Sequence, residues 1–455
     1  MTVTDDIVDI GKLPVAADAM PLGSSELFFS TTDRRGVIRL GNSVFARVSG
    51  YALDELVGAP HNLVRHPDMP AGVFELIWER LRGGRPVAGF VKNLAKDGSA
   101  YWVFATMSPL RNSYLSVRIG PRSDCFELIE AVYAHARAVE DRAGIAGAGR
   151  RGRAVCGRIA IEEALRHRGF TSYDEFMATA LPAEISVREN SVRKAFARPH
   201  AQGPIGHALA AAMALDDEFA PLVGRLAGYQ RLCERLTVAA ERVIEIADRL
   251  DISVAAAREA SRPLASAAPV LANVARVMGD PMRDAGTALR GLPAALDLLR
   301  ADVLRLRFRI SLAALHNTTV AAFAAEVIDG SAPSQSLQAV PLLCDAAASG
   351  LAEMAEQAQR LNGELAAVAA VTEHAADALD RFRRFLGQWR ILVLRYKASP
   401  LIGDRLDPID AEIAASAEWM SLLRDLGAEF RTATVVIDTE RLRRQWTAIK
   451  HTARW

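Results

Sequence analysis

From Leu222 to Tyr396 the apolar residues advance by four and three in alternation. One series runs Leu222, Leu226, Tyr229, Cys233, Leu236, Ala240, Val243, Ala247, Leu250, Val254. A second starts at Leu289 and passes through Leu296, Val303, Ile310 and Asn317 to Val327. A third runs from Leu351 through Leu361, Val368, Leu379 and Trp389 to Tyr396. A helix places such positions on one stripe, and a strict seven-residue repeat winds the stripe into a left-handed supercoil. Residues 206–400 are thereby committed to a heptad-patterned coiled coil or helical bundle. The stretch Asp329-Gly330-Ser331-Ala332-Pro333-Ser334 parts the second series from the third and reads as the turn of an antiparallel helical hairpin. Asn317 falls on a core position. There an amide fixes register or oligomeric state, or else it marks a half-exposed, frayed end of the helix.

The rest of the chain divides around that region. Residues 1–25, with Pro14, Pro21 and Gly23, read as a flexible lead, and residues 123–205 as a helical connector. Within the connector, Arg142–Arg153 is dominated by glycine and arginine and reads as a linker or exposed loop. A small apolar cluster of Phe170, Tyr173, Phe176 and Met177 there reads as core. Residues 401–455 form a C-terminal helical segment with Trp419, Leu423, Phe430 and Trp446, interrupted near Val435-Val436-Ile437.

Composition excludes several function classes. The formal net charge of +1 across 455 residues argues against a nucleic-acid binder. The four cysteines form no CxxC pair, so neither a zinc site nor a disulfide framework is expected, and a reducing cytoplasm is the natural setting. The longest uncharged stretches, Ala201–Leu215 and Ile310–Ala325, fall short of the roughly 20 residues of a membrane span. No P-loop, G-x-S-x-G, HExxH or kinase glycine-rich lid occurs, and no catalytic constellation is found, so the chain reads as a non-enzyme.

Residues 26–122 have a different texture. Leu27-Phe28-Phe29 and Val37–Leu40 read as strands joined by a turn at Arg35-Gly36. Short helices come next, at Asn42 to Gly50 and Leu53–Leu56. Val73, Phe74, Ile77, Trp78 and Leu81 have helical spacing. Three more strands cover Val87–Asn93, Tyr101–Pro109 and Tyr114–Ile119, the first two joined by an Asp97-Gly98 hairpin turn. The expected fold is α+β, a five-stranded antiparallel sheet with short helices on one face, succeeded by the all-α region. Between the short helices and the longer one lies His61-Asn62-Leu63-Val64-Arg65-His66-Pro67-Asp68-Met69-Pro70. The prolines stiffen this segment and keep it from becoming a long helix, so its imidazoles, guanidinium and carboxylate can face a ligand as one wall of a pocket.

Ser30-Thr31-Thr32-Asp33, Gly36-Val37-Ile38, Asn42, Ser49-Gly50-Tyr51, the VRHPDMP run Val64–Pro70, Phe74, Trp78, Val91-Lys92-Asn93, Tyr101-Trp102-Val103 and Ser116-Val117-Arg118 occur in one order. In that order they closely resemble the PAS domain of bacterial aerotaxis receptors, over residues 26–120. The resemblance implies a PAS fold whose pocket holds FAD noncovalently and whose signal is the flavin's redox state. The matching positions are Asn42, Arg65, His66, Asp68, Phe74 and Asn93. Arg65 can neutralise a pyrophosphate, Asn93 and Asn42 can pair with a ring edge, and Phe74 can line an apolar wall. Arg65, His66 and Asp68 can equally bond one another and pin the loop. Two departures stand out. Val87 occupies a position where the family usually carries Trp, and the receptors' membrane anchor has no counterpart. Leu312–Asn317 with Ala321–Glu326 faintly resembles the signalling tip of chemoreceptors and departs from it at most positions.

These readings converge on a soluble, cytoplasmic sensor, a homodimer that passes the flavin's state through its helices to chemotaxis-type signalling partners. Two alternatives stay open: a PAS domain without cofactor serving as an interaction module, favoured by Val87, or a haem-based gas sensor with His61 or His66 as ligand. A light-driven cysteine adduct is not expected, since His61–Pro70 contains no cysteine.

Overall fold

The computed structural model describes residues 22–399 and 406–452. Most of the expected N-terminal lead and the start and last residues of the C-terminal segment lie outside the described residues. The described chain falls into two compact units. One comprises the chain up to Val223, Leu304–Met354 and the chain from Asp438 onward; the other comprises Gly224–Val303 and Ala355–Ile437.

The first unit contains the sheet: β1 (Phe28–Asp33), β2 (Ile38–Gly41), β3 (Val87–Leu94), β4 (Ala100–Pro109) and β5 (Ser113–Ile119), all antiparallel in the order β2-β1-β5-β4-β3. The turns behave as their residues require. Gly36 (φ +83°) and Gly98 (φ +88°) take the left-handed conformation that lets strands reverse over so few residues. Helix α1 (Ser43–Ser49) starts at Asn42 and ends on left-handed Gly50. Beyond it lie α2 (Leu53–Leu56), a 3₁₀ turn at His61–Val64 and α3 (Ala71–Arg82).

Side-chain alternation divides the sheet between two tasks. Ser30, Thr32, Ala105, Met107, Ser116 and Arg118 point into a cavity beneath α3. The opposite face is closed by the chain's own helices. Phe90 meets Phe104 (4.8 Å), Phe126 (5.8 Å) and Phe176 (6.2 Å). Phe29 meets Phe323 edge-on at 5.4 Å, and Ser108 Oγ lies 3.4 Å from His316 Nε2. Leu312–Asn317 and Ala321–Ala325 are buried on every side, the state expected of a helix apolar all round. The residues with faint likeness to a chemoreceptor tip thus lie against the sheet.

Helices α4 (Cys125–Ile145), α5 (Arg150–His167), α6 (Tyr173–Ser186) and α7 (Glu189–Phe196) belong to this unit. The Gly/Arg stretch is therefore mostly helical: Ala and Arg favour helix, and the reversal is confined to residues 146–149, with Gly147 at φ +90°. Tyr173 and Phe176 are fully buried core. Tyr173 Oη donates to the Ala88 carbonyl at 3.0 Å, and a Cβ on Gly89 would come within 2.3 Å of that oxygen.

The first heptad series lies in α8 (Gly203–Ser261); α9 (Pro269–Val277), α10 (Asp280–Arg290) and α11 (Leu292–Ile328) come after it. The expected hairpin turn after Ile328 is longer than one loop. A 3₁₀ stretch (Ser334–Ala339) and α12 (Val340–Ser349) precede α13 (Leu351–Arg395), because Val340, Leu343 and Cys344 are apolar enough to be buried. Asn317 sits in the core, 1% exposed, its Nδ2 donating to the Ala212 carbonyl (2.6 Å) and Asp216 Oδ1 (2.7 Å).

In the second unit the heptad residues Cys233, Leu236, Val243, Leu365, Leu379 and Trp389 are buried. Between α14 (Leu406–Thr432) and α15 (Thr439–Thr452) the β-branched run at Val435-Val436-Ile437 leaves the helix. Asn362 replaces the lost helical bonds there. Its Nδ2 donates to Val435 O (2.9 Å) and its Oδ1 accepts from Val435 N (2.8 Å). Among the described residues, one helical stretch, Pro269–Ile328, is long and apolar enough to cross a membrane, and 83% of its apolar window is buried inside the protein.

Candidate functional site

The segment His61–Pro70 crosses the cavity-facing side of the sheet from one edge to the other. At one end His61 N donates to the Gly36 carbonyl (2.8 Å) beside β2; at the other His66 N donates to Lys92 O (3.3 Å) on β3, and Arg65 bridges to Asn93. β2 and β3 are the two edges of the sheet, so this non-repeating segment spans it like a strap. After the 3₁₀ turn at His61–Val64, proline at positions 67 and 70 keeps the rest of the strap from coiling. Helix α3 comes directly after the strap and closes the other side with Phe74, Ile77, Trp78 and Leu81.

The cavity so enclosed has a volume of about 330 Å³, within the range of small-molecule pockets. Its walls are aromatic and aliphatic, with Trp78 and Tyr114 edge to face at 5.7 Å. Its polar groups are unusual. Arg35, Arg65, Arg118 and Arg150 line it, and among the described residues no Asp or Glu does.

Arg118 is the most constrained of these. It lies on β5, 6% exposed, with its guanidinium 4.7 Å from the Phe28 ring. Nη1 donates to Ser30 Oγ (2.9 Å) and Nη2 to His61 Nε2 (2.9 Å). Among the described residues no carboxylate pairs with it, and burial lowers it to about 10 despite Tyr101 nearby. Burial, reinforced by Arg118, holds His61 down to about 3, so the ring is neutral. With Nε2 accepting, its proton lies on Nδ1. Asn93, 3% exposed on β3, has an Nδ2 without a hydrogen-bond partner among the described residues. A buried amide left so costs roughly 1–3 kcal/mol, and a buried cation without an anion costs more. Both defects are the kind a bound ligand repairs.

The expected site residues are distributed as follows. Arg65, Phe74 and Asn93 line the cavity together. The Arg65 guanidinium sits 4.1 Å over the Phe74 ring and donates to Met69 O (2.9 Å). Burial keeps Arg65 below its usual range; Glu140 works against this, while Arg150 and Arg137 add to it. Asn42, His66 and Asp68 are not among the lining residues. The Asn42 amide is committed to the fold: Oδ1 accepts from Phe45 N (3.1 Å) and Phe29 N (3.0 Å), and Nδ2 donates to Leu27 O (2.7 Å). His66 Nδ1 accepts from Asp68 N (3.1 Å), and Asp68 reaches Lys92 (3.4 Å), which pins the strap to β3. Val87 is fully buried, opposite Met107. Arg118, Ser30, Trp78 and Arg150 are additions to the expected set. Strand alternation places Arg118 on the same face as Ser116, but an arginine there reads as solvent-facing until the strap covers it.

Helix α3 also ties the cavity to the helices beyond it. Pro70, at its start, has no capping side chain, and Glu140 of α4 takes that role. Its Oε2 accepts from Ala71 N (2.9 Å) and Oε1 from Gly72 N (2.8 Å). Backbones meet closely here. A Cβ on Gly72 would lie 2.3 Å from Arg158 N, and one on Gly157 would lie 1.9 Å from Glu140 Oε1.

Comparison with known proteins agrees with this architecture. The sequence description of the PAS fold matches residues 40–117. The aerotaxis receptor of Escherichia coli is 41% identical over 118 residues, 25% of this chain and 23% of the receptor. The biofilm dispersion protein BdlA of Pseudomonas aeruginosa is 33% identical over 81 residues, 18% of this chain and 19% of that protein. The chain thus spans less than a quarter of the length of these relatives. Among solved structures, a LOV domain from the blue-light-activated histidine kinase of Erythrobacter litoralis is similar over 20% of this chain and 94% of its own, at 18% identity and a TM-score of 0.20. Residues 40–117 form a PAS domain similar to that of aerotaxis receptors.

Proposed function

We propose that this chain is a non-enzymatic, cytoplasmic signalling sensor whose PAS cavity binds a flavin, FAD in the first place, and reports its redox state. The reading rests on two buried groups in one aromatic-walled cavity: the Asn93 amide, whose Nδ2 has no hydrogen-bond partner among the described residues, and the Arg118 guanidinium, hydrogen-bonded to Ser30 and His61 but facing no carboxylate. An isoalloxazine ring offers carbonyl and ring-nitrogen acceptors for such donors and a flat face for Trp78, and it supplies reversible electron uptake when bound. Arg118 would donate to the ring's polar edge while neutral His61 and Ser30 hold the guanidinium in place. Asn93 would donate from β3, and Phe74 and Trp78 would keep water off the ring. Likeness to the aerotaxis receptor supports flavin as the ligand class and signalling proteins of the chemotaxis type as partners.

Two routes out of the cavity support the sensing role. Helix α3 lines the cavity with Phe74 and Trp78 and is capped by Glu140 of α4, so a shift of α3 loads the α4–α5 pair. The sheet's other face bears on α11 through Phe29–Phe323 and Ser108–His316. A ligand moves such an equilibrium only if it binds the two arrangements with different affinity. Since the sheet face is covered by the chain's own helix, the proposed homodimer is assigned to the heptad helices. There Ile252, Ile391 and Leu394 are exposed apolar groups that a second copy would cover. The test is the absorbance of the purified full-length protein before and after dithionite, with Asn93→Ala alongside. A flavin spectrum that bleaches, and weaker retention in Asn93→Ala, is expected; a colourless protein that also fails to take up added FAD would overturn the reading.

A further inference from the structure

We infer that Arg150 of α5 is a ligand residue of the PAS cavity, gripping the phosphate of a phosphorylated ligand together with Arg65 and Arg35, so that ligand occupancy fastens the α4–α5 pair onto the domain. This rests on the reading that the cavity holds a small molecule, and it names the charged part of that molecule and what its binding controls. Arg150 lies outside the residues matched to the PAS fold, yet its side chain lines the cavity. It is exposed, and among the described residues no hydrogen bond or ion pair engages it. Arg35, also exposed, has among the described residues a side-chain ion pair with Asp33 alone, at 3.9 Å, and that carboxylate already holds Arg39 at 2.9 Å. Exposed lining residues stand where a cavity meets solvent, whereas Arg118 and Asn93 are buried within it.

The arginines therefore divide by exposure: Arg118 in the interior, beside polar partners, Arg65 half-buried, and Arg35 and Arg150 towards the open side. Among the described residues no acid in the lining offsets them. Like charges lining one cavity repel: burial lowers Arg65 most, Glu140 outside the lining raises it, and Arg150 then lowers it again. A dianionic phosphate placed among them would turn that repulsion into charge-assisted, bidentate hydrogen bonds. Arg150 begins α5, and α5 meets α3 at Gly72 and Gly157. A phosphate bridging Arg65 and Arg150 would thus add a second fastening beside the Glu140 cap.

The experiment uses the full-length protein, stripped of bound ligand, at low ionic strength. Affinities for riboflavin, FMN and FAD are compared in wild type, Arg150→Ala and Arg150→Glu. Amide exchange of residues 142–158 is followed with and without inorganic pyrophosphate. Arg150→Ala is expected to weaken FMN and FAD about tenfold or more, Arg150→Glu further, and riboflavin less than about twofold. Pyrophosphate should protect residues 142–158 in wild type only. Equal affinities of wild type and variants for FMN overturn the inference and leave the flavin reading intact. Arg150-dependent protection by pyrophosphate without any flavin binding supports the inference and removes flavin as ligand. Neither binding nor protection overturns both.

Discussion

Replacing Gly157 by alanine should destabilise the PAS unit, against the ordinary gain of such a change. Within a helix, Gly→Ala contributes about 0.5–1 kcal/mol of stability through lost chain entropy and better helix propensity. At Gly157 the added Cβ would fall 1.9 Å from Glu140 Oε1, 2.7 Å from its Cδ and 2.8 Å from its Cγ. That carboxylate cannot simply swing aside, because both oxygens accept from the first backbone N–H groups of α3. Moving it breaks two charge-assisted hydrogen bonds, each contributing roughly 1.5–3 kcal/mol, and leaves helix N–H groups unpaired. After allowing for the cost of burying the carboxylate, we expect Gly157→Ala and Glu140→Ala each to lose about 2–4 kcal/mol. The three atoms nearest the new Cβ all belong to the Glu140 side chain beyond its own Cβ. In the Glu140→Ala background the Gly157→Ala change should therefore cost nothing further, or gain up to about 1 kcal/mol. The assay is a double-mutant cycle in urea, read through amide exchange of residues 71–82. Additive losses, or a neutral Gly157→Ala single variant, would mean that α3 is not held through Glu140.

Other consequences can be measured independently. Burial pushes the Asp216 carboxyl up to about 7 from its ordinary 3.8, against the Asn317 and Thr318 hydrogen bonds and Arg193, and with Asp217 adding to the rise. The folded state then holds its proton more tightly than the unfolded chain, so this stabilisation is fully present below about pH 4 and lost as pH rises through about 7. Thermal unfolding between pH 5 and 8 should show stability falling, and Asp216→Asn should flatten the profile; an unchanged slope would contradict this origin. Arg118→Met should change ligand-free stability by less than about 1 kcal/mol, since two lost hydrogen bonds are offset by removing a buried cation, while flavin retention falls sharply. Loss of fold in ligand-free Arg118→Met, seen by circular dichroism, would count against a functional role for the charge. Asn362→Ala should cost about 1–3 kcal/mol by stripping both hydrogen bonds from Val435, and exchange at residues 433–438 should rise.

Much of the fold is legible in the residues. Asp97-Gly98 and Arg35-Gly36 need left-handed glycines, and both have them; the heptad stripes become the buried faces of long helices. These signals are local, set by backbone conformation and a short repeat. Tertiary partners are not legible in that way. Asn42 looks like a ligand residue because an amide suits a ring edge, yet its three hydrogen bonds are spent joining α1 to β1. Arg150 sits in a Gly/Arg run that reads as solvated linker, and only the close approach of α5 to α3 at Gly72 and Gly157 brings it to the cavity. Glu140 is likewise one acid among many on a helix until α3 is found to start without its own cap. The 3₁₀ stretch and α12, residues 334–349, are hidden in the same way. A Gly-Ser-Pro turn marks where a helix stops but not how far off the next long helix begins.

A redox-active ligand that signals from the PAS cavity must change the helices built around it. Amide exchange of the flavin-loaded full-length protein, oxidised and then reduced by dithionite, reads that change. Altered exchange is expected in residues 71–82 and 136–158, and in 310–326 behind the sheet, with the remaining helices unchanged. Flavin that is never retained, or exchange that is identical in the two redox states, would contradict it.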